Sequence, residues 1–204
     1  MSEEPPQARY TTSLTEEFIP YFTAIGRLAI IWAEFEFSIN EAIWELANVE
    51  RFAGTCMTSQ MIGPGPRFRC FVSLLRLRNC PAELINKINS LSNVAEGLGR
   101  QRNRFLHDPL ALDTTDKTIR RMETTADRVV RHAMVPLEID EIIQLTADID
   151  VADAQFDDLF LRVLAETPPW PRTQFEQSQG IRRQRTPPAS SRTTPENPPE
   201  PSRA

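Results

Sequence analysis

The stretch YFTAIGRLAIIWAEFEFSINEAIWEL, Tyr21 to Leu46, decides the fold class. Tyr21, Ile25, Leu28, Trp32, Phe35, Ile39, Ala42 and Leu46 recur at alternating steps of four and three. Such spacing lays one continuous apolar stripe along a helix of 3.6 residues per turn. Glu34, Glu41 and Glu45 fall off that stripe, while Trp32, Glu36 and Asn40 share an adjoining face at i, i+4 spacing. Pro20 suits the first turn of this helix, where its missing N–H costs nothing. Ser13, with Glu16 three residues on, has the form of a capping box for a short turn ahead of it.

Downstream, IGPGP at Ile62 to Pro66 predicts a break in helix. A second helix is expected from about Arg67 to Arg78, with Phe68, Phe71, Leu74 and Leu75 turned inward. Asn79 and Pro81 mark the passage into a third helix, whose stripe is Leu84, Ile88, Leu91, Ala95 and Leu98. The next places in that row are Arg102 and Phe105, so an arginine takes a core-facing slot. After Pro109 the stretches Leu110 to Asp113, Thr118 to Thr124 and Val129 to Leu137 are richer in β-branched residues and predict a small β-hairpin. A last helix over Ile139 to Ala165 carries Ile142, Ile149, Ala152, Phe156, Leu159 and Val163 on one side, and Pro168 ends it. The expected fold is therefore mainly α, an antiparallel helical bundle with a small hairpin after the third helix.

The expected organisation is a flexible N-terminus over 1–17, one helical domain over 18–166, and a Pro- and Arg-rich tail over 167–204. Nine of the 17 prolines fall in that tail, which has too few apolar groups to offset the entropy of ordering it. Trp170, in PPWP, is its one candidate anchor for a partner. The net charge of −5 argues against a general nucleic-acid coat protein. No apolar run approaches the roughly 18 residues of a membrane span, and the polar, acidic start does not read as a signal peptide. Cys56, Cys70 and Cys80 are odd in number and form no C-x-x-C, so they read as reduced thiols of a cytoplasmic protein. No metal-ligand cluster, Gly-rich phosphate loop or G-x-S-x-G is present, and no cofactor is expected.

The third helix ends on RQRNRFLHDP, Arg100 to Pro109. Asn103 and His107 are i, i+4 neighbours, and Arg102 lies about 100° round from Asn103. Pro109 disfavours helical geometry at Asp108, which places His107 near the helix end. An imidazole can move a proton and a guanidinium can hold a phosphate, a combination suited to phosphodiester chemistry. From Arg67 to Arg104 there are eight Lys or Arg against two Glu, a basic island in an acidic chain, which reads as a focused site for an anion. A purely structural account would instead pair Arg102 with Glu36 or Glu96 and leave His107 as a helix-end residue. His132 reads as an ordinary half-buried histidine.

RNRFLH, Arg102 to His107, resembles the R-N-x-x-x-H form of the R-x(4–6)-H motif of the HEPN family (higher eukaryotes and prokaryotes nucleotide-binding domains). IGRLAIIWAEFEFSIN resembles that family's W-x-x-x-E type of first helix, and the architecture over about 18–165 is similar. The resemblance implies a HEPN-like bundle and metal-independent RNA cleavage or, alternatively, a non-catalytic module that binds RNA, a nucleotide or a partner protein without turnover. It also implies a homodimer in which two motifs meet, and places the chain beside toxins with an antitoxin or other protein partner. Arg102, Asn103 and His107 are then the expected catalytic residues. Glu36 and Asn40 are expected to support them, and Arg100 and Arg104 to bind substrate. A glycine often follows the family's histidine; here Asp108 does, an extra carboxylate expected to repel a phosphate.

Overall fold

The computed structural model describes residues 10–12, 15–127 and 129–168, and the side chains of these except 125–131. The PPWP motif and the rest of the expected tail beyond Pro168 lie outside the described residues, as does Ser13 with its expected cap. The elements are β1 (Tyr10–Thr11), a 3-10 turn (Glu16–Phe18), α1 (Ile19–Ala47), α2 (Arg51–Thr58), α3 (Pro64–Leu77), α4 (Ala82–His107), β2 (Leu110–Asp113), β3 (Ile119–Asp127), β4 (Val129–Pro136) and α5 (Ile139–Glu166). The molecule is thus mainly helical with a small antiparallel sheet.

Helix α1 forms as its periodicity requires. Leu28, Trp32, Phe35, Ile39, Ala42 and Leu46 are buried, with Tyr21 and Ile25 partly so. Against them pack Phe68, Phe71 and Leu75 of α3, Ile88 and Leu91 of α4, and Ile149, Phe156 and Val163 of α5. Phe35, Phe68, Phe71 and Phe156 meet mostly edge to face or tilted, with ring centroids 5.5–6.4 Å apart, the arrangement that aromatic quadrupoles favour. Length and composition alone would let the segment Glu16–Ala47 cross a membrane, contrary to the expectation that no stretch approaches that. Its inner face, however, is part of this bundle's core.

Three local expectations are corrected. Helix α2 was not expected; it is short and amphipathic, and it lies over Trp44, whose indole Nε1 donates to Thr58 Oγ1 at 3.2 Å. Gly54 allows that approach, because a Cβ there would press onto the indole. The IGPGP stretch starts a helix rather than only breaking one. Gly63, at φ 74°, makes the entry turn, and Pro64 and Pro66 occupy first-turn positions that need no N–H. The hairpin is part of a four-stranded sheet in the order β1-β2-β3-β4, all antiparallel, with Tyr10 opposite Asp113 and Leu112 opposite Ile119. Tyr10–Thr11, within the segment expected to be flexible, supplies its edge strand. The domain also extends slightly past its expected end: Thr167 is buried, and the carbonyl of Pro168 accepts from Arg78 at 2.9 and 3.2 Å.

The β2–β3 turn is tied by side chains. Asp116 accepts from the backbone N–H of Thr118 at 3.0 Å and from Arg120 Nη2 at 2.7 Å. Arg120 also reaches the fully buried Asp113 at 3.1 Å, and Lys117 takes a left-handed φ of 61°. His132 is exposed rather than half-buried, and its Nδ1 lies 2.9 Å from Thr124 Oγ1 across the β3–β4 pair.

Candidate functional site

Helix α4 ends at His107, with Asp108 already extended at φ −74°, ψ 130°, as the proline after it requires. The last two turns present Gly99, Arg100, Arg102, Asn103 and His107 to a cleft of about 540 Å³. Its other walls are Trp32 and Glu36 of α1, Met61 to Pro64 of the turn before α3, Arg67, and Glu96. Arg102 is the pivot. It is half-buried, its Cζ stands 5.9 Å over the Trp32 ring, and its Nη1 donates to Asn103 Oδ1 at 2.9 Å. Its Nε is buried and has no hydrogen-bond partner among the described residues. Burial pulls its pKa below the ordinary arginine value, and the nearby Glu36 charge pushes it back up.

Arg102 therefore does not form the ion pair with Glu36 or Glu96 that a purely structural account requires. Glu36 and Asn40 serve another arginine. Arg67 is 9% exposed; its Nε donates to Asn40 Oδ1 at 3.0 Å, and its Nη1 donates to Glu36 Oε1 at 3.2 Å and to the Gly63 carbonyl at 2.8 Å. The expectation that Glu36 and Asn40 hold Arg102 is thus corrected: they hold Arg67, and through it they pin the turn that forms the cleft's far wall. Arg67 was missed as a site residue. A signal was present, since an arginine in a first helical turn opposes the helix dipole and needs a local anion.

The chain brings Arg100, Arg102, Asn103 and His107 together and leaves Arg104 out. Arg104 is two residues beyond Arg102, about 200° round the helix, and so faces away. It pairs with Glu123 at 3.0 Å and lines a separate groove with Phe105, Arg121 and Asp148. The basic island divides in the same way: Lys87 pairs with Glu83 and Arg78 bonds to Pro168, while Arg67, Arg100 and Arg102 face the cleft. The carboxyl of Glu123 is held below its ordinary range, first by the Arg121 hydrogen bond and then by Arg104.

Asp108 does not stand as a bare charge beside the cleft. Its Oδ2 is buried 3.7 Å from Arg121 Nε, and the Arg121 guanidinium lies 5.0 Å over the Phe105 ring. The expected repulsion of a phosphate is offset by that cation. Asn103 and His107 are exposed at the cleft mouth. Gly99 matters for the floor: a Cβ there would lie 3.0 Å from Trp32 Cη2 and would displace the ring on which Arg102 rests. The three cysteines are free, and burial raises the Cys70 thiol.

In chemical terms the cleft offers the half-buried Arg102 guanidinium, the exposed Arg100, an amide, an imidazole and an aromatic and aliphatic wall. That set is chemically suited to an anion with an apolar neighbour. Comparisons with protein-family models, with curated proteins and with solved structures return no match for this chain.

Proposed function

We propose that this cleft binds the phosphodiester of RNA and cleaves it as a metal-independent, HEPN-like endoribonuclease. The observation that carries this reading is Arg102, whose side chain lines the same cleft as His107 and whose buried Nε has no hydrogen-bond partner among the described residues. A buried donor without an acceptor costs free energy, so a ligand that brings an acceptor to this guanidinium is favoured there. A phosphate oxygen is a strong charge-assisted acceptor for such a group.

The reaction is attack of a ribose 2′-OH on the adjacent phosphorus. The O2′–P bond forms and the P–O5′ bond breaks. One proton leaves the 2′-OH and one reaches the departing 5′ oxygen, so the products are a 2′,3′-cyclic phosphate and a 5′-OH. His107 acts as acid or base, Arg102 stabilises the charge on the phosphorane, and Asn103 keeps Arg102 in its rotamer through the 2.9 Å bond. One chain presents one histidine here, so a second copy would supply the second proton-transfer group.

A second reading has its own observation. His107 is exposed and has no hydrogen bond among the described residues to orient its ring, as suits a module that binds a nucleotide or RNA end without turnover. Incubation of purified protein with mixed RNA in EDTA separates the two. Cleavage to cyclic phosphate ends is expected, lost in His107→Ala and reduced by about a hundredfold or more in Arg102→Ala. Binding without cleavage, weakened in Arg102→Ala and unchanged in His107→Ala, establishes the second reading. Cleavage that needs added magnesium overturns the mechanism.

A further inference from the structure

Glu96 is a carboxylate in a cleft otherwise rich in cationic donors. It lies on the cleft-facing stripe of α4, one turn before Gly99 and Arg100, in the row that continues through Asn103 and His107. Glu36, the other carboxylate of the cleft, is taken up by Arg67 at 3.2 Å. Glu96 has no hydrogen bond or ion pair among the described residues. An unpaired carboxylate opposes a phosphate nearby, so anion binding alone gives it no role. The backbone nevertheless makes room for it. Gly65, in the first turn of α3, is buried, and a Cβ there would lie 2.8 Å from Glu96 Oε1. Exposed Arg69 reaches the same point, its Nη1 at 3.3 Å, without pairing with the carboxylate.

We propose that Glu96 reads the base attached to the bound phosphate, and that this base is guanine. The proposal rests on the RNA reading of the cleft and names its specificity. Distance permits it: Glu96 precedes Arg102 by six residues, about 9 Å along the helix axis, which matches the span from a phosphate to the far edge of its own purine. Chemistry selects the base. An ionised carboxylate only accepts hydrogen bonds, at two oxygens. Guanine alone presents two adjacent donors on its Watson–Crick edge, N1–H and the 2-amino group, and both can donate to one carboxylate. Adenine and cytosine place a ring-nitrogen acceptor beside their amino group. Uracil flanks its one N–H with two carbonyl oxygens. Each of these three sets a lone pair against Glu96.

The turn before α3 supplies a surface for the ring. It is fixed at both ends: the Met61 N–H donates to the Thr58 carbonyl at 3.0 Å, and the Gly63 carbonyl accepts from Arg67 Nη1 at 2.8 Å. Between them Ile62 lines the cleft and is 89% exposed. An isoleucine held in water by a pinned turn gains by being covered, and the face of a base is an apolar surface of suitable size. The labour then divides as in other small-molecule sites, where apolar area gives affinity and a few polar groups give identity. Ile62 covers the ring, Glu96 reads its edge, and Arg102 holds the phosphate.

The test is fluorescence anisotropy of the full chain with short 2′-deoxy oligonucleotides, uracil throughout except for one central guanine, adenine or hypoxanthine. These probes lack the 2′-OH and are not cleaved, so binding is read whatever the catalytic outcome. The guanine probe is expected to bind about tenfold or more tighter than the adenine probe. Hypoxanthine lacks only the 2-amino group of guanine and should fall between them. Glu96→Gln, nearly isosteric, should reverse the order with an unchanged circular dichroism spectrum. Its amide accepts from the adenine 6-amino group and donates to N1, but turns a donor on guanine. Ile62→Ser should weaken all the probes alike. Affinity that falls in Glu96→Gln for every probe without reordering them gives Glu96 a structural role and overturns the proposal. Equal binding of the probes by wild type overturns it as well and leaves the RNA reading standing, whereas no binding of any oligonucleotide overturns both.

Discussion

Arg67 and Arg102 show how one residue type serves two purposes within one cleft. Arg67 is enclosed by Asn40, Glu36 and the Gly63 carbonyl. Arg102 keeps an unsatisfied donor. The two are linked through Glu36, whose carboxylate bonds to Arg67 and whose charge also reaches Arg102. Arg67→Met should therefore act twice. Removing one partner of a largely buried pair should cost about 2–4 kcal/mol in urea melts, somewhat less than for a fully buried pair. It should also free Glu36 to turn toward Arg102 and weaken phosphate or oligonucleotide binding measured by calorimetry. Adding Glu36→Gln should restore much of that affinity. If affinity is not restored, Arg67 acts only as a structural clamp.

Among the elements, the β2–β3 turn yields a pH prediction. The Asp116 carboxyl is lowered to about 2 from its ordinary 3.8, first by the Thr118 side-chain and backbone hydrogen bonds and, less strongly, by Arg120. A folded pKa below the unfolded one means the charged form stabilises the fold. The contribution is complete above about pH 4 and is lost as pH falls toward 2. The stability gap between wild type and Asp116→Asn should be constant from pH 7 to about 4 and should close below that. A gap that persists at pH 2 would place the turn's stability elsewhere.

At the scale of the molecule, net charge and local charge oppose each other. The chain carries −5 overall, yet the cleft proposed for RNA is lined by Arg100 and Arg102, with Arg67 beside them. RNA affinity should therefore rest on few contacts and fall moderately with salt. A slope of about −2 in log affinity against log salt corresponds to roughly three phosphates on a single strand. Arg100→Ala should reduce that slope by about 0.7. A slope near zero would mean that the cleft does not read phosphate.

The sequence by itself determined the helices with long amphipathic stripes, because their periodicity is local and each is long enough to express it. The inner rows of α1, α4 and α5 are buried as their spacing required. It also determined that α4 would end on His107, since Pro109 acts on the residue just before it. Helix α2 was not legible because eight residues show little periodicity, and strand β1 was not because two residues show none. Only the tertiary structure decided the partners in the cleft. Asn40 and Glu36 come within bonding distance of Arg67 from 27 and 31 positions away in the chain, and no spacing rule spans that separation. The packing of α1 against α3 and α4 set which arginine took those carboxylate and amide partners, and so which arginine was left without a carboxylate partner.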